Sequence, residues 1–382
     1  MISRKKPKKT APRTQASGRK TTAVRGASAP LTVLNAMQAE DYEEIVFLQN
    51  RRYGLNAIIC IHDTRHGPAH GGIRRIRYPD DNSALADVMR LAHAMSRKAA
   101  IAGIPSGGGK AVIIDHPGLN RRGAYETLGR FIESWHGRFF TGPDVGTTEA
   151  DLAAVRRYTR YVVEPQVKAG PGHVAGATAN GVIASIRATL QYLYKTESPA
   201  GRHVAVQGLG AIGERVADWL WSSGAELTLA EVDAKKLRHW RNRPRVKITT
   251  PERIIGTSCD LLSPNALGGI ISSQTKLNCR AVVGAANNPL TDDAAAVALH
   301  RCGILFAPDF LVNSGGLIEG AGRNLGFAGD TAAMIERIGK TLITIYRRAA
   351  REKKPPYVVA LAMADARLKS GKLPSKFTMR MG

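Results

Sequence analysis

Cysteine is scarce and scattered: Cys60, Cys259, Cys279 and Cys302 are the four in 382 residues, and no two stand in a C-x-x-C spacing. A disulfide framework is excluded, no zinc-ligand pattern or other metal site is suggested, and a reducing cytoplasm is the natural compartment. Aromatic residues are only 6% of the chain, with no helix-turn-helix, zinc-finger or base-stacking pattern for nucleic acid. No apolar run reaches the roughly 20 residues that span a bilayer, and no apolar signal core follows the basic N-terminus, so the chain reads as neither membrane-embedded nor exported. Acidic residues are missing altogether from residues 1–30, which hold nine Lys or Arg among Thr, Ser, Pro, Ala and Gly.

That arm has the composition of a disordered segment. It reads as a solubilising extension, as a nucleic-acid contact or as a targeting peptide, the last at odds with its KKPKK start. Without those nine charges the net +24 falls to +15, so the folded part is basic too and attracts acidic partners non-specifically.

What is present fits an α/β protein: 43% hydrophobic residues, 39 glycines and length enough for two cores. After the arm, residues 31–175 alternate strand-like pieces (55–61, 111–114) with helix-like ones (83–100, 122–135, 149–158). A glycine-rich connection at 169–173 and a long helix-like segment at 177–194 follow. A second series then begins with HVAVQ at His203 and continues through LTLAE, CDLLS, AVVGAA and GILFAP, so 176–328 reads as a second domain. Short, continuous apolar runs between helices imply a parallel sheet buried on both faces. Residues 329–382 supply further helices, expected to pack back on the first domain.

Residues 95–114, MSRKAAIAGIPSGGGKAVII, hold Lys98 at the end of a helix-like stretch and Lys110 leaving a triple-glycine turn into a strand-like run. A lysine flanked by Gly109 and an apolar run has little water to stabilise its charge and can become a base. On a helical projection Lys98 sits at the margin of the apolar stripe, about 20° from Leu91, with Asp87 in the same direction. Two readings remain open there: a lysine at the mouth of a cleft, or a snorkelling edge lysine paired with a carboxylate.

In the second domain, VAVQGLGAIG runs from Val204 to Gly213, with Glu231 ending the next strand 18 residues later. Strand before and helix after are the contexts that make G-x-G-x-x-G a dinucleotide site. Gly208 makes the tight turn, Gly210 admits the pyrophosphate to the helix N-terminus, and Gly213 allows helix and strand to pack closely. Glu231 would bond a ribose 2′-hydroxyl and repel a 2′-phosphate, favouring NAD; Lys235, Lys236 and Arg238 weaken that preference without reversing it.

Six motifs occur in order: GPAHGGIRR (67–75), the Lys98/Lys110 segment, TGPDVGTTEADL (141–152), the dinucleotide loop, GAANN (284–288) and APDFLVNSGG (307–316). Together they resemble the leucine, valine and phenylalanine dehydrogenases, relatives of glutamate dehydrogenase, over roughly residues 40–350. The resemblance implies an N-terminal substrate and catalytic domain facing a Rossmann-type NAD-binding domain across a cleft, and a homo-oligomer. It makes Lys98 the anchor of the substrate carboxylate, Lys110 the catalytic base, and Asp144 the group exchanging protons with the substrate nitrogen. By the same likeness Gly71 and Gly72 leave room for the carboxylate, Met95 lines the pocket, Thr178 and Asn287 contact the nicotinamide end, and Asn313 lies near the amino group. The implied reaction is reversible oxidative deamination of an L-amino acid to a 2-oxo acid and ammonia.

The sequence departs from the family pattern at His70, Pro143 and Glu319. His70 could stack on an aromatic side chain or meet a polar one, or be purely structural. An apolar or aromatic substrate side chain is expected. A related oxidoreductase of a secondary pathway, using an aromatic or polar amino or keto acid, is the first alternative. A basic, NAD-responsive nucleic-acid binder is the second, resting on charge alone.

Overall fold

The computed structural model describes residues 32–162, 173–327 and 330–370. The basic arm and most of the 169–173 connection lie outside the described residues. None of the described helices is long and apolar enough to cross a membrane.

The first unit runs α1 (Val33–Glu40), β1 (Glu44–Asn50), β2 (Leu55–Asp63), β3 (Ala69–Ile76), α2 (Asp81–Ala102), β4 (Gly107–Ile114), α3 (Arg121–Glu133), β5 (Phe139–Pro143) and α4 (Glu149–Arg156). Its sheet has the order β1-β2-β4-β3-β5, antiparallel at the β1 and β2 pairings and parallel where β3 meets β4 and β5. One face, with Ile59, Ile61, Ala111 and Ile113, buries against Tyr125, Leu128, Ile132, Leu152 and Val155 of α3 and α4. The other face, with Ile58, Cys60 and Val112, packs on Leu85, Val88, Met89 and Ala92 of α2.

Helix α2 is fixed at both ends. The Asp80 carboxylate accepts the Ser83 N–H at 2.7 Å, and Gly103 closes the helix in the left-handed region at φ 72°. SGGGK is not a turn: Gly107, Gly108 and Gly109 open strand β4. A Cβ at Gly107 would overlap the Asp63 carbonyl, and one at Gly108 would overlap the Ser96 amide and stand 2.5 Å from the Ala92 carbonyl. The glycines therefore let β2 and α2 lie against β4 backbone to backbone.

A long helix, α5 (His173–Tyr194), leads into β6 (His203–Gln207), α6 (Gly213–Ser222), β7 (Glu226–Ala230), β8 (Val246–Ile248), β9 (Leu261–Pro264), β10 (Ala281–Val282), α7 (Asp293–Arg301) and β11 (Leu305–Phe306). The strands are all parallel, in the order β11-β10-β9-β6-β7-β8. That is the doubly wound order in which the chain reverses direction between β6 and β9, opening a crevice at their carboxyl ends. Short helices α8 (Asp309–Val312) and α9 (Gly315–Asn324) follow, then α10 (Thr331–Glu352) and α11 (Pro356–Ser370). Helix α10 lies along α5, and α11 returns to α2. Arg97 makes a two-pronged ion pair with Asp365 at 2.7 and 3.0 Å, and Arg367 donates to the Ala100 and Ile101 carbonyls. The core around the second sheet thereby extends to Ala99, Ile101 and Ile104 at the end of α2.

We expect Gly108→Ala to overpack the α2–β4 contact, destabilising the protein by about 1–3 kcal/mol. Thermal unfolding measures it, and an unchanged Tm would show that α2 can retreat without cost.

Candidate active site

Strand periodicity gathers the first-domain residues. Successive residues alternate faces, and the register pairs His70 with Gly108 and Phe140. His70, Gly72 and Arg74 of β3 therefore share a face with Gly108 and Lys110 of β4 and with Phe140 and Gly142 of β5. Helix α2 covers the β2–β4 half of that face. Helix α9, from the far side, stands over the β3–β5 half.

Between them lies a cleft of about 200 Å³ whose walls include His70, Gly71, Gly72, Met95 and Phe140 on one side and Gly316, Leu317 and Gly320 on the other. Gly72 is required by close approach, since a Cβ there would stand 2.5 Å from the Pro143 carbonyl and 3.0 Å from Asp144 Cβ. Its bareness lets Asp144 tuck against the strand.

Lys110 and Asp144 are held together. Lys110 Nζ lies 2.9 Å from Asp144 Oδ2, and the lysine side chain is only 7% exposed. Burial pushes the Lys110 pKa down, Asp144 opposing it and Arg74 reinforcing it. Burial also works against the Asp144 charge, but Lys110 and Arg74 outweigh it and hold the carboxyl below its usual range.

Lys98 is half-buried near the end of α2 and has no ion pair among the described residues. Burial lowers its pKa to about 8; the Asp309 carboxyl opposes this, Lys110 reinforces it and Asp144 opposes it. The edge-lysine reading required Asp87, but eleven residues at about 1.5 Å rise separate the two by about 16 Å along the helix, a distance the projection hides. Asp87 instead receives Arg74 at 2.9 Å, Tyr78 at 2.8 Å and Arg90 at 2.7 Å. Asp309, buried on α8 and accepting the Asn288 N–H at 2.8 Å, faces Lys98 from the second domain.

His70 is buried. Its ring stacks on Phe140 at 5.0 Å and 5°, its Nδ1 lies 2.6 Å from Ser106 Oγ and 3.2 Å from the Pro68 carbonyl, and burial drops its pKa to about 4. With Nδ1 on the protein side, Nε2 is the ring's distal nitrogen, and Asn324 Nδ2 of α9 approaches it at 3.5 Å.

In the second domain, Gly208 has φ 85°, a Cβ at Gly213 would overlap the Gly208 carbonyl, and a Cβ at Gly210 would meet nothing within 4 Å. A turn, a packed helix start and an open approach thus stand where a pyrophosphate needs them. Glu231 follows β7 directly. Its carboxylate accepts the Leu209 amide at 2.6 Å, the Val232 amide at 2.9 Å and the Asp233 amide at 3.2 Å. Burial opposes its charge, but these amides and Lys236 hold the group below its usual pKa. It therefore braces the glycine loop while remaining an acceptor at its rim.

Asn313 donates to the Ala285 carbonyl at 3.1 Å and to Asn287 Oδ1 at 2.8 Å, leaving its own buried Oδ1 without a partner among the described residues. A buried acceptor left unmet is costly unless a ligand donates to it. Thr178 returns its hydroxyl to the Val174 carbonyl at 2.9 Å, on the side of α5 facing Gly316. The bare turn, the open Gly210 and this orphaned acceptor fit a nicotinamide dinucleotide lying from the glycine loop toward the cleft.

Residues 44–161 match the model described as Glu/Leu/Phe/Val dehydrogenase, dimerisation domain, and residues 226–322 match the one described as Glutamate/Leucine/Phenylalanine/Valine dehydrogenase. Leucine dehydrogenase of Geobacillus stearothermophilus is 36% identical over 340 residues, 87% of this chain and 92% of that protein. The chain belongs to the Glu/Leu/Phe/Val dehydrogenase family. It is an amino-acid dehydrogenase, an oxidoreductase. Phenylalanine dehydrogenase of Lysinibacillus sphaericus is 40% identical over 320 residues, covering 81% of this chain and 84% of that one. Among solved structures, L-tryptophan dehydrogenase from Nostoc punctiforme superposes with a TM-score of 0.78 at 32% identity, over 88% of this chain and 99% of that one.

Sequence reasoning missed Arg74, Asp309 and the cleft walls Phe140, Leu152, Val174 and Leu317. Period-two alternation applied to GPAHGGIRR would have grouped Arg74 with His70 and Gly72. The others carried no local signal.

Gly210→Ala separates binding from folding. With open space around it, Tm should stay within about a degree, while the apparent KM for the dinucleotide should rise severalfold; equal KM values would remove Gly210 from the cofactor path.

Proposed function

We propose that the protein catalyses reversible, NAD-dependent oxidative deamination of an L-amino acid with an apolar or aromatic side chain. The observation that carries this is the Lys110–Asp144 pair at 2.9 Å, buried beside a Lys98 that has no ion pair among the described residues. Lys98 takes the substrate carboxylate, with Gly71 and Gly72 beside it. Thr178 and Asn287 would hold the nicotinamide end of the cofactor, which would supply the acceptor for the hydride on the substrate Cα, and the Asn313 Oδ1 acceptor would lie near the amino group. Lys110, in its neutral form, takes a proton from the water that attacks the resulting iminium carbon. Asp144 exchanges the proton at the substrate nitrogen, so that ammonia leaves and a 2-oxo acid remains. The lysine's lowered pKa suits it to proton transfer near the working pH.

NAD rather than NADP is favoured by Glu231, whose ionised carboxylate would repel a 2′-phosphate. Met95, Phe140, Leu152, Val174 and Leu317 give the cleft its apolar character. His70 places one acceptor, Nε2 of a neutral ring with hydrogen on Nδ1, toward α9, where Asn324 Nδ2 lies 3.5 Å away and a substrate donor would take the place of that long contact. A side chain carrying a single donor, such as an indole N–H or a phenol O–H, complements that wall. Relatives act on leucine and phenylalanine by name, and a third, of known structure, on tryptophan. We also infer a homo-oligomer, since the first matched segment is described as a dimerisation domain. A reducing cytoplasm is proposed from the four cysteines, all free thiols.

A panel of 2-oxo acids with ammonium and NADH or NADPH, followed by cofactor absorbance, tests the reading. Turnover with NADH and an apolar or aromatic acid is expected, and no turnover with any would end it. Lys110→Ala should lose turnover while retaining dinucleotide binding; a near-normal rate would remove the base assignment. His70→Leu should lower kcat/KM for tryptophan or tyrosine relative to leucine by about three- to tenfold, the worth of one hydrogen bond. An unchanged ratio would leave His70 purely structural.

A further inference from the structure

Asp144 Oδ2 is shared. It accepts from Lys110 Nζ at 2.9 Å and from Arg74 Nε at 3.0 Å. Arg74 is largely buried, its side chain 18% exposed, and its other arm reaches Asp87 Oδ2 at 2.9 Å. Asp87 in turn holds Tyr78 through its hydroxyl and Arg90 through Oδ1. The groups facing Lys110 are therefore Asp144 beyond β5, Arg74 on β3, Asp87 and Lys98 on α2, and, beyond Lys98, Asp309 on α8.

A base of the proposed kind must pass through a neutral state. When Lys110 is neutral, a carboxylate paired with it alone would be a buried, uncompensated anion, and the proton would be drawn back onto one of the two. A guanidinium cannot give up its proton and is held in place by Asp87. It keeps a cation on the same oxygen throughout.

We propose that Arg74 is a positioning residue that keeps Asp144 ionised and in place while Lys110 is neutral, so that the proton of the attacking water goes to Lys110 and Asp144 is left to exchange with the substrate nitrogen in a separate step. This rests on the proton chemistry proposed above. Two cations on one carboxylate oxygen also favour release of the proton that can leave, which is the lysine's. Deamination needs neutral Lys110, so its rate rises with pH through the lysine's pKa. Removing the guanidinium removes a repelling charge, raises that pKa and moves the rise to higher pH.

The test uses the full chain with Arg74→Gln and Arg74→Lys. The midpoint of the rising limb of kcat against pH should move up by at least about one unit in Arg74→Gln, with kcat recovering at high pH, and by less in Arg74→Lys. A uniform loss at every pH with the midpoint unmoved would overturn the proposal. Arg74→Met, which keeps the length of the side chain without its charge, should shift the midpoint in the same direction and covers the case in which Arg74→Gln does not fold. Competitive acetylation of Lys110 with acetic anhydride, read by mass spectrometry against pH, reports its neutral fraction without turnover. An absence of turnover in the parent therefore counts against the proposed activity, whereas an acetylation midpoint equal in parent and variant counts against Arg74.

Discussion

The backbone-to-backbone approach of α2 to β4 is the constraint on which the site depends. Side chains at Gly107 and Gly108 would meet the Asp63 carbonyl, the Ser96 amide and the Ala92 carbonyl. With only hydrogens there, the helix carrying Lys98 lies directly against the strand carrying Lys110. Two ammonium groups are thus forced into one poorly solvated region, where burial lowers the pKa of both and Lys110 lowers that of Lys98 further. Carboxylates then divide the labour. Asp144 bonds Lys110 directly, and Asp309 faces Lys98 from the second domain without pairing with it. One lysine stays available for an anionic ligand, and the other is poised over a proton.

The same economy governs the cleft. Helix α2 covers only half of its face of the first sheet. The uncovered half holds two glycines, a neutral histidine and a phenylalanine, and it is roofed by glycine-bearing α9. Small residues on both sides leave space, apolar walls exclude water, and the few polar atoms are fixed by neighbours. Hydrogen bonds aimed into such a space are stronger than in water and require little reorganisation. The second sheet supplies the complementary surface, with its glycine loop braced by Glu231 and its orphaned Asn313 oxygen.

Much of this was legible in the sequence because the signals were local. The strand, G-x-G-x-x-G and helix succession around Val204 to Gly213 needs no distant contact to be recognised, and β6 and α6 flank the loop as that spacing demands. The apolar runs of the second domain likewise mark β6, β7 and β9. In the first domain, β3 and β5 were not read as strands, because His-Gly-Gly and Arg-Arg interrupt the apolar alternation in one and Gly-Pro ends the other. SGGGK looked like a turn because three glycines lack intrinsic strand preference; close packing imposed the strand. Arg74 and Asp309 stayed silent for another reason: their partners lie 70 and 211 residues away in sequence, reached only through strand register and domain packing.

The central claim is that Lys110 and Asp144 act as one unit rather than as two independent contributors. A double-variant cycle in kcat/KM, with Lys110→Met and Asp144→Asn separately and combined, measures this most directly. The account predicts that the combined variant is about as slow as the slower single one. Losses that multiply across the two substitutions would contradict it.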